Sequence, residues 1–133
     1  MPCLTIKLSG EPSSITCEAV ARTLTDLTAE LLEKKRELTA VLVEPIPAGR
    51  WFINGSSLEA SATSSFCLDI AITSGTNTKH EKAAYIHQVF AAMEALLGAL
   101  DPASYIIIRE IDADAWGYQG KTQEYRFIAA SNL

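Results

Sequence analysis

The sequence has 133 residues, of which 48% are hydrophobic and 20% charged, and its formal net charge is −5. This length predicts one domain, residues 1–133, and the composition is typical of a globular protein with a core. The negative charge and the lack of a basic stripe argue against a nucleic-acid partner, and no apolar run approaches the ~20 residues that span a membrane.

The first half of the chain predicts a strand, a helix and a second strand. Residues 2–8 alternate weakly and predict a strand, and apolar residues at helical spacing predict an amphipathic helix over 15–35. The basic residues 34–36 are interpreted as the solvated end of that helix. A buried strand is predicted at 40–44, followed by a short strand and turn at 51–55.

The second half repeats this order. The small, polar residues 56–65 predict a flexible linker or a long loop, and we place a linker at 57–65. The predicted elements after it are a strand at 66–73, a helix at 79–99, a strand at 105–111, a turn at 112–120 and a short strand at 123–128. Thr78 and Glu81 have the spacing of a capping box, which marks the start of the second helix.

A shift of 65 residues aligns the two halves without a gap. The shift places Ser9 on Ser74, Gly10 on Gly75, Trp51 on Trp116 and Gly55 on Gly120. We therefore expect a duplicated β-α-β unit, with repeats at 1–56 and 66–121 and a tail at 122–133. Two such α/β units predict one four-stranded sheet with both helices on one face, and other subunits are expected to cover the second face.

The cysteines and histidines are not spaced as in a disulfide framework or a metal site. Cys3, Cys17 and Cys67 are odd in number and unrelated in spacing, which favours a reduced, cytoplasmic protein with all three in the core. His80 and His87 are expected on the surface. No metal-ligand spacing is present, so neither a metal nor a cofactor is expected.

Met1-Pro2 followed by a strand, a Ser-Gly turn and the duplicated unit resembles the tautomerase superfamily. Its members include 4-oxalocrotonate tautomerase, the macrophage migration inhibitory factor family and the chloroacrylic acid dehalogenases. Residues 116–120 (WGYQG) resemble the aromatic-Gly-x-Gly-Gly turn of 4-oxalocrotonate tautomerase. Residues 47–55 (PAGRWFING) are similar to a segment of cis-3-chloroacrylic acid dehalogenase.

The resemblance implies a homotrimer and a cofactor-free site built around Pro2. Removal of Met1 would leave Pro2 with a secondary amine, which acts as general base or acid on a carbon next to a carbonyl. An ordinary α-amine titrates near ~8, and burial or a nearby cation lowers that value. One such amine can take a proton from one atom and return it to another.

The sequence lacks the arginines that bind substrate carboxylates in this superfamily. Glu11 and Pro12 occupy the position of the first arginine of 4-oxalocrotonate tautomerase, and Ala40, whose repeat partner is Tyr105, occupies the position of the second. The loop 73–77, where the dehalogenases have a pair of arginines, contains none. The missing arginines therefore argue against binding of a dicarboxylate substrate in the manner of the superfamily and against dehalogenation. Cys67 takes the repeat position of Pro2, so we expect one site per chain.

Several side chains are candidates for substrate contact. Arg109 lies in a strand of isoleucines, where it either binds a substrate carboxylate or pairs with an acid across a subunit interface. Trp116 and Trp51 fall where the superfamily has an aromatic wall beside the proline. Arg50 and Arg126 lie in turn or tail segments, and Glu124 is the candidate acid for activating water.

These observations predict a tautomerase that interconverts the keto and enol forms of a small 2-keto acid through Pro2. Two alternatives stay open. One is a hydratase, decarboxylase or dehalogenase that uses the same amine, and the other is a catalytically silent trimer that binds a ligand or partner.

Overall fold

The computed structural model describes residues 2–131 and contains a four-stranded sheet, two long helices, a short third helix and two small hairpins. The sheet strands are β1 (Cys3–Ser9), β2 (Ala40–Ile46), β5 (Phe66–Thr73) and β6 (Tyr105–Ile111). The helices are α1 (Ser14–Leu32), α2 (Lys79–Leu97) and α3 (Gln123–Ser131). The hairpins pair β3 (Phe52–Ile53) with β4 (Ser56–Ser57) and β7 (Gly117–Tyr118) with β8 (Lys121–Thr122).

The sheet confirms the predicted tandem β-α-β topology. Its strand order is β2-β1-β5-β6. The strands of each unit are parallel, as a helical crossover requires, whereas β1 and β5 meet antiparallel at the centre. Cys3 lies opposite Ala71 and Leu8 opposite Phe66, so a pseudo-twofold axis passes between the two central strands.

The core lies between one face of the sheet and the helices α1 and α2. Strand residues alternate in burial, as the two-residue period of a strand requires. The buried sheet residues are Leu4, Ile6, Leu8, Phe66, Leu68, Ile70 and Ile72, and the helices add Val20, Leu24, Leu32, Tyr85, Val89 and Met93. Ile86 lies at the helical spacing of the apolar residues of α2 but is 40% exposed, because Tyr85 takes the core-facing position instead.

Both long helices begin at side-chain caps. The Ser13 Oγ accepts from the Thr16 N–H (3.1 Å) at the start of α1. The capping box predicted for α2 is present: the Glu81 N–H donates to Thr78 Oγ1 (3.1 Å), and the Thr78 N–H donates to Glu81 Oε1 (2.8 Å).

The second face of the sheet is open in the described chain. Leu42 is 53% exposed, Tyr105 62% and Ile107 45%. Cys3 also lies on this face and is exposed, so the expectation that it belongs to the core is wrong; its odd position in β1 points it away from the helices. Cys17 and Cys67 are partly buried.

The tail differs from the sequence-based expectation, and the connection between the two halves is a packed loop. Residues 123–128, predicted as a strand, begin α3, because the Thr122 Oγ1 accepts from the Tyr125 N–H (3.0 Å) and caps a helix there. Residues 57–65 form an ordered connection. Leu58 is buried within a short 3₁₀ turn, and the buried Ser65 hydroxyl donates to the Ala103 carbonyl (3.0 Å).

Candidate active site

Pro2 lies at the end of the sheet where β1 and β2 begin and where β5 and β6 end. It is buried, and its carbonyl accepts a hydrogen bond from the Ala40 N–H (3.4 Å). Because Cys3 lies opposite Ala71, Thr73 is one residue beyond the position opposite Pro2. We call this edge of the sheet the Pro2 end. Met1 lies outside the described residues.

Trp116 is held at the Pro2 end by the β7–β8 hairpin. Its indole Nε1 donates to Thr73 Oγ1 (3.2 Å), and the side chain is partly buried. The hairpin turns through Gln119 and Gly120, both with positive φ. A Cβ on Gly117 would lie 1.9 Å from the Lys121 carbonyl oxygen, so the glycine lets the two short strands approach closely.

The helix α3 packs against the same end. The Gln123 N–H donates to the Trp116 carbonyl and the Glu124 N–H to the Ala113 carbonyl (both 2.9 Å). These backbone bonds fix the first turn of α3 beside the turn that follows β6. Arg126 extends from α3 to the β7–β8 hairpin, where its Nη2 donates to the Tyr118 carbonyl (3.1 Å).

A cleft of about 540 Å³ separates α3 from the body of the subunit. We call it the α3 cleft. Its lining includes Lys34, the turn 73–76, Gln123, Glu124, Arg126 and Phe127. Thr73 therefore belongs both to this lining and to the neighbourhood of Pro2.

Lys34 is the cation on the body side of the α3 cleft. Its Nζ donates to Thr76 Oγ1 (2.9 Å). Burial lowers the pKa of Lys34 below its ordinary value, and the carboxylates of Glu81 and Glu33 partly oppose that shift. The residue is partly buried, whereas we expected the basic residues 34–36 to be solvated.

Arg109 lies on the open face of the sheet. It lies opposite Ala71 in the register of β5 and β6 and forms an ion pair with Asp69. The pair borders a shallow depression of about 580 Å³ that Thr5 and Lys7 also line. The sequence left open a substrate carboxylate or an acid across a subunit interface as the partner of Arg109, and in the described chain Arg109 is paired with Asp69 of the same chain.

Trp51 and Arg50 lie at the opposite end of the sheet. They follow β2, which runs away from Pro2 because it is parallel to β1. The Trp51 carbonyl accepts from the Leu58 N–H (3.0 Å), and Arg50 is exposed. Within one chain, the structure therefore brings Pro2, Trp116 and Glu124 to one end and leaves Trp51 and Arg50 at the other.

No family model and no curated protein sequence matches this chain, but solved structures match it over nearly its whole length. The R7 fused 4-OT, a wild-type asymmetric trimer, is 18% identical and covers 94% of this chain and 98% of its own, with a TM-score of 0.83. A macrophage migration inhibitory factor-like protein from Entamoeba histolytica is 20% identical (91% and 97% covered, TM-score 0.75). N1, a member of the cis-3-chloroacrylic acid dehalogenase family, is 22% identical (94% and 90% covered, TM-score 0.73).

The chain has the tautomerase-superfamily fold. The fold expected from the resemblance is confirmed, and the activity has to be argued from the residues at the Pro2 end. In this tautomerase fold the pseudo-twofold partner of Pro2 is Cys67, which lies inside the chain and has no free amine.

The sequence interpretation missed Lys34 and Gln123 as site residues. Lys34 belongs to the basic residues 34–36, which we interpreted as solvated, and Gln123 belongs to a segment that we predicted as a strand. Lys34 reaches the cleft through its bond to Thr76, 42 residues away in sequence, for which a single sequence carries no pattern, and Gln123 reaches it because its segment forms a helix. Arg126, which was a candidate for substrate contact from the tail segment, lies in the lining of the α3 cleft.

Within residues 2–131, no three His, Cys, Asp or Glu side chains are grouped so that they could hold a metal ion. No helix in that range is long and apolar enough to cross a membrane.

Proposed function

We propose that this protein is a cofactor-independent tautomerase that interconverts the keto and enol forms of a small 2-keto acid, with Pro2 as the proton carrier. One observation carries the proposal: Pro2 is buried at the sheet end next to Thr73, which lines a cleft large enough for such an acid. Trp116 and Glu124 lie at that same end.

The chemistry requires that Met1 be removed. While Met1 is attached, the Pro2 nitrogen is an amide with neither a proton to give nor a basic lone pair. After removal it is a secondary amine, and burial favours its neutral form near neutral pH. The neutral amine takes the hydroxyl proton of the enol, and the resulting ammonium gives a proton to the adjacent carbon, so that one proton moves from oxygen to carbon.

We also propose that the working form is a homotrimer. The open face exposes Leu42, Tyr105 and Ile107, and the similar R7 fused 4-OT is a trimer. Because Trp51 and Arg50 lie far from Pro2 in their own chain, they can contact its substrate only if a neighbouring subunit supplies them. The three free cysteines support a cytoplasmic location.

The position of Glu124 favours a second candidate reaction. Its carboxylate lines the α3 cleft, where it could activate a water molecule for addition to an unsaturated acid. A hydratase, decarboxylase or dehalogenase would then use the Pro2 ammonium as the acid.

The test compares the wild type with Pro2→Ala, using intact mass to establish that Met1 has been removed from both. We expect the wild type to convert phenylpyruvate between its enol and keto forms, and the variant to lose at least about 100-fold in rate. Equal rates in the two proteins would contradict the proposal. Release of halide or carbon dioxide from an unsaturated or 3-oxo acid would favour the second candidate, and no activity of either kind would favour a silent binding protein.

A further inference from the structure

A second groove, of about 570 Å³, lies between the β7–β8 hairpin, one side of α3 and the segment that follows α1. We call it the hairpin groove. Its lining includes Lys35, Tyr118, Lys121, Tyr125 and Arg126. Arg126 also lines the α3 cleft, whereas Lys34, Gln123 and Glu124 line that cleft alone. The hairpin groove is therefore a separate concave surface next to the proposed active site.

The hairpin groove is basic, although the chain as a whole has a net charge of −5. Lys35, Lys121 and Arg126 place three cations in the lining, which contains no Asp or Glu among the described residues. Within residues 2–131, none of the three cations forms an ion pair with a carboxylate. Because like charges repel one another, an anion that enters the groove relieves this repulsion. The arrangement favours an anion with more than one negative charge.

Two of the cations are held in place by tyrosine rings. The Arg126 Cζ lies 3.8 Å from the centroid of the Tyr118 ring, and the Lys121 Nζ lies 4.5 Å from that of Tyr125. The Arg126 Nη2 also donates to the Tyr118 carbonyl and to Gln119 Oε1 (both 3.1 Å). These contacts order both charged groups before a ligand binds, which lowers the entropic cost of binding.

The groove also offers hydrogen-bond donors. The Lys121 Nζ donates to the Tyr125 hydroxyl (3.4 Å), and since an ammonium cannot accept, the hydroxyl keeps its own proton for another acceptor. No acceptor for that proton is present among residues 2–131. A phosphate monoester matches these groups, because it carries about −1.5 to −2 charges at pH 7 and three strong acceptor oxygens.

We propose that the hairpin groove binds a small phosphate monoester, whose phosphate group contacts Lys35, Lys121, Arg126 and the Tyr125 hydroxyl. A carboxylate or a sulfate ester has a single negative charge and would leave most of the positive charge unmatched. The small side chains of Ala129 and Ala130, which also line the groove, leave room for the organic part of the ester. The assignment goes beyond the proposed tautomerase activity and does not depend on Pro2.

The experiment measures binding of phenyl phosphate by calorimetric titration of the purified protein. Phenyl sulfate is the matched probe, because it has the same ring and nearly the same shape but one negative charge fewer. We expect phenyl phosphate to bind one molecule per chain, at least about tenfold more tightly than phenyl sulfate. Inorganic phosphate should bind no more tightly than phenyl phosphate, and tighter binding of the inorganic ion would overturn the monoester assignment.

Substitutions in the lining locate the bound phosphate. Lys35→Met and Lys121→Met should each weaken phenyl phosphate binding about fivefold or more, and Tyr125→Phe about threefold or more. The control is Lys79→Met, which makes the same charge change at an exposed lysine at the start of α2 and should stay within about twofold of the wild type. Lys35, Lys121 and Tyr125 are exposed, so these variants should unfold at the wild-type temperature.

Lys34→Met distinguishes the hairpin groove from the α3 cleft, because Lys34 lines only the cleft. Phenyl phosphate binding to this variant should stay within about twofold of the wild type. A loss of binding in Lys34→Met that Lys35→Met and Lys121→Met do not show would place the phosphate in the cleft and overturn the assignment. Equal affinities for phenyl phosphate and phenyl sulfate, or equal losses in Lys79→Met and Lys121→Met, would overturn it too.

Discussion

Glu81 has a carboxylate whose protonation is coupled to folding. The Thr78 backbone N–H donates to it, and this bond, more than the side-chain bonds from Asn77 and Thr78 and the charge of Lys34, lowers the pKa of Glu81 below its ordinary value of 4.5. Since the folded carboxyl is the stronger acid, the unfolded chain binds the proton first as the pH falls. The stabilisation is therefore complete above about pH 4.5 and is lost as the pH drops through the lower, folded value.

We predict that Glu81→Gln is less stable than the wild type at neutral pH and that the difference shrinks as the pH falls below the ordinary glutamate range. Urea unfolding of both proteins at a series of pH values measures this difference in the free energy of unfolding. Glu94→Gln, an exposed glutamate near the other end of α2, is the control and should show no such trend. A constant difference across the series would mean that the cap does not depend on the charge.

The two long helices are joined by a buried hydrogen bond. Thr28 of α1 donates its only hydroxyl proton to the Leu24 carbonyl (2.7 Å), so the Tyr85 hydroxyl of α2 must be the donor in its 2.9 Å contact with Thr28 Oγ1. Burial raises the pKa of Tyr85 to about 12, and the bond to Thr28 opposes that rise.

We predict an asymmetric response to removing each partner. Thr28→Val leaves a buried Tyr85 hydroxyl without an acceptor and should cost about 1–3 kcal/mol, whereas Tyr85→Phe should cost about 1 kcal/mol. The double variant should be more stable than the sum of the two losses implies, because both partners are then apolar. Equilibrium urea unfolding of the four proteins measures the coupling, and additive losses would contradict the pairing.

The Tyr85 contact also predicts a loss of stability at high pH. Because its folded pKa of about 12 is above the ordinary 10.0, the unfolded chain releases the proton first as the pH rises. The wild type should therefore lose stability between pH 10 and 12 more steeply than Tyr85→Phe.

The regular elements of the fold were predictable because their signals are local. Alternation predicted β1, the helical period predicted α1 and α2, and the spacing of Thr78 and Glu81 predicted where α2 begins. The error at α3 has a physical cause: Tyr125 and Phe127 alternate with polar residues as in a strand, yet both are largely exposed in the helix that Thr122 caps.

The site was predictable only in part. Pro2, Trp116 and Glu124 were identified through the resemblance and do lie at one end of the sheet. Lys34 reaches this end through its bond to Thr76, 42 residues away in sequence, and Gln123 through the fold of α3. Contacts between residues so far apart in sequence depend on how whole elements pack, so no local sequence pattern predicts them.

Within residues 2–131, the pseudo-twofold axis relates the two ends of the sheet, and the proposed site residues Pro2, Trp116 and Glu124 lie at one of them. The pseudo-twofold axis takes Pro2 to Cys67 and Trp116 to Trp51, and the first hairpin is followed by the short 3₁₀ turn Leu58–Ala60 where the second is followed by α3. The halves have therefore kept a common backbone while their ends have diverged, and a trimer of this chain would carry three sites rather than six.

For the assembly, we predict a sedimentation mass about three times the 14.4 kDa of one chain at micromolar concentration. Ile107→Asp, on the open face beside Asp69, should give the mass of a single chain, because it would bury a second carboxylate in the interface. Ile15→Asp is the control on the outer surface of α1, where Ile15 is 79% exposed, and should leave the assembly intact. A single-chain mass for the wild type would contradict the trimer.

The ordered connection 57–65 joins the two halves covalently across the antiparallel junction of β1 and β5. Two separate β-α-β chains would have to find each other by diffusion, and dilution would part them. Here each half meets the other at an effective concentration of roughly millimolar or more, whatever the amount of protein in solution. Dilution therefore does not separate the two halves. The protein concentration in the cell affects only the contacts between whole chains.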